Sequence, residues 1–170
     1  MTHRSVRYAS WFNDPLVCRD NRHGAKRYTV AEVKRYIRAV AHSDRDFVFA
    51  VRLKANKKHV GNISLNGISW ANRSAEISIL IGEKEVWGKG IGSEACQLLL
   101  NYAFKELDLH RVSMGMTTRN KPMRRIAKKL GMREEGTFRE ALAKNGRYLD
   151  IIQWALVNSV RPKKRHRHVS

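Results

Sequence analysis

The chain has 170 residues, 42% of them hydrophobic, which is one-domain size with enough apolar material for a core that needs neither disulfides nor metal. Its 34 Lys and Arg against 15 Asp and Glu give a formal charge of +19, a field that attracts anions and bears on partners rather than on fold. No stretch reaches the roughly 20 apolar residues of a membrane span, "MTHRSVRYAS" lacks the apolar run of a secretion signal, and the cysteines, Cys18 and Cys96, are too far apart to suggest a disulfide framework or a metal-ligand pair, so a cytoplasmic protein without metal is expected.

In chain order, the segment "ASWFNDPLVCRDNRHG" reads as a loop. Thr29 and Glu32 then stand at capping-box spacing before Val33, Tyr36, Ile37 and Val40, one face of a helix running to about Ala41. "FVFAVRL" from Phe47, "HVGNISL" and "AEISILI" are three strands separated by the turn-like "KANKK" and "WANRS", an antiparallel meander. After "VWGKGIGSEA", the residues Ala95, Leu98, Leu99, Tyr102 and Ala103 form the apolar stripe of a helix, within which Cys96 reads as an inert packing thiol. "RVSMGM" from Arg111 is a further strand. Asn120 caps a second helix with the face Met123, Ile126, Ala127 and Leu130, and Gly131 sits at its left-handed end. Asn145-Gly146 joins the strands of a final hairpin, "TFREALAKNGRYLDIIQWALV", and the basic "RPKKRHRHVS" reads as a solvated tail. The expected fold is an α/β single domain, a mixed and mostly antiparallel sheet flanked by helices, over residues 1–160, with a basic disordered tail at 161–170.

Gly88, Gly90 and Gly92 fall within five residues between a strand and a helix. Free N–H groups at such a turn, with the helix dipole behind them and Lys89 beside them, make an anion site. The order of residues does not fit a Walker loop, and the preceding meander does not fit a dinucleotide-binding unit. A plain tight turn packing strand on helix is the other reading.

Together these stretches resemble a known family. "AEISILIG", "WGKGIGSEA", "NKPMRRIAKKLGMREEGTFRE" and "NGRYLD" are similar to the GCN5-related N-acetyltransferase (GNAT) superfamily, in its branch typified by the RimJ/RimL ribosomal-protein N-acetyltransferases, from about Tyr8 to Val157. The resemblance implies the GNAT fold and acetyl-CoA as co-substrate. It implies that backbone amides of Trp87, Gly88, Lys89, Gly90, Ile91, Gly92 and Ser93 hold the pyrophosphate, that the pantetheine arm lies along Ile79, Leu80 and Ile81, and that Asn120 binds near it.

Acetyl transfer to an amine asks for a neutral amine, a stabilised oxyanion and a proton for the thiolate. Glu76, on the strand leading to the cofactor, is the candidate base. Family members often place a tyrosine or serine as acid where this chain has Ala127 and Met123, so the open alternatives are water, Tyr148, another tyrosine, or a step that needs no dedicated acid. The acceptor end is expected to be built from "ASWFNDPLVCRDNRHG", the helix running to about Ala41 and the hairpin stretch "FREALAKNGRYLD", with Trp11, Asn13 and Asp14 as the candidate acceptor-binding residues. The charge favours a small or nucleotide-linked, anionic amine over polyamines; an N-terminal amine of a ribosomal protein is the runner-up, with the basic tail docking on RNA. A catalytically weak CoA-binding or RNA-associated module is the alternative of another class. No membrane partner is expected, and the chain is expected to be a monomer or homodimer.

Overall fold

Alternating apolar residues assemble the middle of the chain into a six-stranded sheet, seen in a computed structural model that describes residues 2–21, 23, 24 and 26–159. The basic tail expected over 161–170 lies outside the described residues. Strands β1 (Phe47–Arg52), β2 (His59–Ser69) and β3 (Ser74–Ile81) form the meander; β4 (Arg111–Thr117), β5 (Arg133–Lys144) and β6 (Arg147–Val157) complete the sheet in the order β1-β2-β3-β4-β6-β5. Every neighbouring pair is antiparallel except β3 and β4. Those two run parallel and pair only at Ser74 with Arg111, Ala75 with Val112 and Glu76 with Ser113. Beyond Glu76 they part, while β3 stays paired to β2 as far as Ile81 and β4 to β6 as far as Thr117.

Four helices flank the sheet: α1 (Thr2–Phe12), α2 (Val30–Ala41), α3 (Ile91–Lys105) and α4 (Lys121–Lys129). None is long and apolar enough to cross a membrane. The capping box at α2 is formed, the Glu32 carboxylate accepting from the Thr29 N–H at 2.8 Å and the Thr29 hydroxyl from the Glu32 N–H at 3.2 Å. At the hairpin turn Asn145 and Gly146 both have positive φ, 50° and 71°, the backbone that a two-residue loop between right-twisted strands requires.

Two expectations are corrected. The segment read as a loop from Ala9 is helical as far as Phe12 and belongs to α1, whose Tyr8, Trp11 and Phe12 pack with Val33 of α2 into a second hydrophobic cluster. The stripe expected on α3 is rotated: Cys96, Leu99, Leu100 and Ala103 face the sheet, whereas Leu98 is 61% exposed and Tyr102 lies outside with Phe49 of β1. Both sets have helical spacing, so periodicity could not choose between them. Burial pushes the Cys96 thiol up to about 12, which keeps it an unreactive packing group.

The sheet has two unlike faces. Ile63 and Leu65 of β2, Ile77 of β3, Met114 and Met116 of β4 and Ile152 and Trp154 of β6 pack with α3 and α4 into the main core. Most of the neighbouring residues in register, which point the other way toward α1 and α2, are polar: Asn62, Ser64 and Asn66 on β2, Glu76 and Ser78 on β3, Thr117 on β4 and Gln153 on β6, with Leu80 and Ile151 beside them. Asn62 and Ser64 are only 8% exposed, because α1 and α2 roof this face. The roof is seated at the end of β3, where Trp11 lies over Gly82. A β-carbon on Gly82 would come within 2.0 Å of the Trp11 ring. Gly82→Ala is therefore expected to cost about 1–3 kcal/mol through overpacking, read as a lower midpoint in thermal or urea unfolding.

Candidate active site between the parting strands

The divergence of β3 and β4 opens a cavity of about 990 Å³ between the sheet and the roof. Ile77 to Leu80 lines one side of the opening and Met114 to Thr117 the other, so one edge of β3 beyond Glu76 carries backbone groups with no strand partner. Glu76 stands at the point where pairing stops. Its carboxylate has no hydrogen-bond or ion-pair partner among the described residues and reaches over Gly115, where a β-carbon would lie 3.4 Å from Glu76 Oε1 and 2.9 Å from Gln153 Oε1. The bareness of Gly115 leaves room for both side chains above the sheet. Asn120 also lines the cavity, and its side-chain oxygen caps α4 by accepting from the Met123 N–H at 3.1 Å.

The glycine turn sits past the far end of β3, outside the cavity walls. A one-turn 3₁₀ helix, Lys84–Val86, leads into it, and Gly88 and Gly90 adopt φ of 75° and 82°, which only glycine takes at little cost. Gly92 rests against Ile79, Ile81 and Ile126, coupling the turn to the strand end and to α4. The backbone N–H groups of Gly88, Gly90, Ile91, Gly92 and Ser93 have no partner among the described residues, at the N-terminus of a fifteen-residue helix. The N–H groups of Trp87 and Lys89, which had been expected in the same set, instead donate to Lys84 and Val86. The Trp87 side chain acts differently, its indole N–H donating to the Ile81 carbonyl at 2.9 Å and folding the turn back onto β3.

Other predicted site residues lie elsewhere. Trp11 is buried, its indole N–H donating to Glu83 at 3.0 Å. The Asn13 amide exchanges two hydrogen bonds with the Tyr28 backbone, at 2.7 and 2.8 Å. Asp14 accepts from the Leu16 and Val17 N–H groups and pairs with Lys84 at 2.6 Å, the Lys84 bond above all holding its carboxyl below the usual range. None of the three lines the cavity; they join the N-terminal segment to its neighbours. Tyr148 is 68% exposed near the hairpin tip and is also absent from the walls. Met123 lines the cavity and Ala127 is buried in the core, so neither position supplies a proton.

Residues not named among the individual site candidates form the roof. Tyr8 and Phe12 of α1, Tyr36 of α2, and His23 and Tyr28 between them face the cavity. Burial, with the neighbouring Tyr36, raises the Tyr8 phenol above its ordinary range. The spacing of Tyr8 and Phe12 is the available signal for them, since it is that of a helix face.

Residues 3–133 match the family model described as the acetyltransferase (GNAT) domain. The chain belongs to the GNAT family. Among curated GNAT relatives, YdaF of Bacillus subtilis (strain 168), provisionally named a ribosomal N-acetyltransferase, is 40% identical over 97 residues, 57% of this chain and 52% of that protein. The chain thus spans about half the length of that relative. A spermidine N(1)-acetyltransferase of Vibrio cholerae is 28% identical over 149 residues, 88% of this chain and 79% of that one. Among solved structures, a probable acetyltransferase aligns with a TM-score of 0.79 and 28% identity, covering 92% of this chain and 88% of the other. The expected fold and family are those observed. Asn120→Ala, which removes the cap of α4 beside the GNAT cleft, is expected to lower stability by about 1 kcal/mol in chemical unfolding.

Proposed function

We propose that this chain transfers an acetyl group from acetyl-CoA to a primary amine, directly within a ternary complex, and that the acceptor is a small amine carrying an anionic group, such as a nucleotide-linked amino sugar. The observation that carries the reading is the parting of β3 from β4 at Glu76, which leaves an unpaired strand edge, a roofed cavity and an unpartnered carboxylate in one place. The free amides of Gly88, Gly90, Ile91, Gly92 and Ser93 suit a pyrophosphate, and the open edge at Ile79, Leu80 and Ile81 suits the amides of a pantetheine arm.

Acetyl-CoA supplies an activated acyl thioester. The protein's part is to align it with the amine and to stabilise charge. A backbone N–H on the free edge of β3 donates to the thioester oxygen as it becomes an oxyanion. Glu76 removes the proton of the incoming ammonium, through water, so that a neutral amine attacks. As the tetrahedral adduct collapses, the C–S bond breaks and the second proton of the attacking nitrogen passes through water to the leaving thiolate, an acceptable route because a thiol has a reference pKa of about 8.5.

The walls bear on the acceptor. Asp20, Glu32 and Glu76 line the cavity with Lys26 and Arg35, so the surplus charge of the whole chain is not repeated there. Lys26 is held by Glu32 at 3.1 Å, whereas Arg35 has no partner among the described residues and remains available to an anionic group on the acceptor. A second reading, acetylation of a ribosomal protein's N-terminal amine, is favoured by the likeness to YdaF and by the +19 charge, which suits an RNA-rich partner. The likeness to spermidine acetyltransferases makes polyamines the third acceptor class to test. A cytoplasmic setting accompanies each of these readings.

Acetylation of one class in a panel of nucleotide-linked amino sugars, ribosomal N-terminal peptides and polyamines, followed by thiol release and product mass, decides among them. Glu76→Gln is expected to lower turnover at neutral pH by about 10²–10⁴-fold while leaving CoA affinity, measured by calorimetry, unchanged. Unaltered turnover would remove Glu76 from the mechanism. Gly90→Glu places a carboxylate in the anion seat at a backbone φ of 82° and is expected to abolish CoA binding in the same calorimetric assay. Retained RNA binding by that variant, with no transfer by the wild type, would favour the RNA-associated reading.

A further inference from the structure

Lys144, near the end of β5, sets its half-buried ammonium in a cage of main-chain oxygens. Nζ donates to the carbonyls of Asn21 at 2.8 Å and His23 at 2.7 Å and to that of Cys18, with Arg19 O at 3.4 Å. None of these partners is a carboxylate. A lysine that only decorated a surface would point its charge at water or at an acid; this one is solvated by a loop wrapped around it, as a monovalent cation is. Gly24 permits the wrapping: its φ is 85°, and a β-carbon there would come 2.8 Å from Cys18 Cβ and 3.8 Å from Lys144 Nζ. Desolvation in the cage lowers the pKa of the ammonium.

The caged segment is a wall of the cavity. Asp20, Asn21 and His23 line it from the N-terminal side, and Phe138 and Leu142, on the same strand as Lys144, line it from the hairpin. A longer hydrogen bond, from the Thr117 hydroxyl to the Asp20 carbonyl at 3.3 Å, also ties this segment to the sheet. Hydrogen bonds to a charged donor are each worth more than neutral ones, so the ammonium is the stronger tie.

We propose that Lys144 is a positioning residue: its ammonium is the built-in cation of a carbonyl cage and fixes the wall residues Asp20, Asn21 and His23 against the hairpin, setting the shape of the acceptor side of the cavity. The kinetic part of this inference rests on the acetyl-transfer reading above; the structural part does not.

The test uses the full chain and two variants. Lys144→Met keeps the length of the stem and removes the charge; Lys144→Ala empties the cage. Hydrogen exchange of the Cys18, Asn21 and His23 amides, which donate to Asp14 O, Cys18 O and Asn21 Oδ1, reports the wall without any acceptor or acetyl-CoA. The expectation is a loss of protection of at least about tenfold at these three amides in Lys144→Met. In Lys144→Ala, methylammonium or potassium chloride should restore protection while tetramethylammonium chloride, which has no N–H and is too large for the cage, should not. In turnover assays with whichever acceptor the wild type acetylates, Lys144→Met should raise the acceptor KM about tenfold and leave kcat and CoA affinity near their wild-type values. Unchanged exchange at the three amides in Lys144→Met overturns the proposal, as does an unchanged acceptor KM in an active enzyme. Lost protection with cation rescue, in a protein that acetylates none of the amines, supports the cage and counts against the transfer reading alone.

Discussion

The molecule depends on three residue pairs. Ser74, Ala75 and Glu76 pair β3 with β4, and no strand pairing joins the two beyond them among the described residues. A parallel pair that stays zipped would leave no ligand edge, because each strand would satisfy the backbone groups of the other. Parting creates unpaired N–H and C=O groups in the interior, a cost the fold can carry only if something else occupies that edge. Both strands remain anchored on their outer sides, to β2 and β6, so the opening is a fixed shape and not a frayed end.

Around that opening the two faces of the sheet have divided their work. The face against α3 and α4 is apolar throughout and supplies the main core. The opposite face is polar in the central strands, and α1 and α2 cover it without filling it, resting on the smaller cluster of Tyr8, Trp11, Phe12 and Val33. The roof is fastened at separate points: Trp11 on Gly82 and Glu83, Asp14 on Lys84, and Asn21 and His23 on the Lys144 ammonium. Packing at the rim thus keeps the polar interior around Glu76 open.

Much of this was legible in the residues. Thr29 with Glu32, Asn120 with Gly131 and Asn145 with Gly146 each announce a local conformation through their own hydrogen bonds or their tolerance of positive φ, and each is found in that role. Strand alternation likewise placed Glu76 opposite Ala75 and Ile77. The acceptor side was not legible in the same way. Trp11, Asn13 and Asp14 carry suitable chemistry, yet their partners are Glu83, Tyr28 and Lys84, fifteen to seventy-two positions away in sequence. Tyr148 alternates with buried strand residues, but it lies near the hairpin tip, beyond the cover of any helix, and so points into solvent.

What the sequence by itself determined is whatever a few adjacent residues enforce: the caps, the hairpin turn, the glycine turn, the succession of elements from α2 onward, and through their combination the GNAT family. What only the tertiary structure decided is where β3 and β4 separate, which of two overlapping stripes α3 turns inward, which of the turn's amides stay free, and that a lysine on β5 reaches 121 to 126 positions back along the chain to hold the cavity wall. These are outcomes of competition for partners among distant groups, and such competition has no local signature because its energies exist only once the chain has brought the groups together.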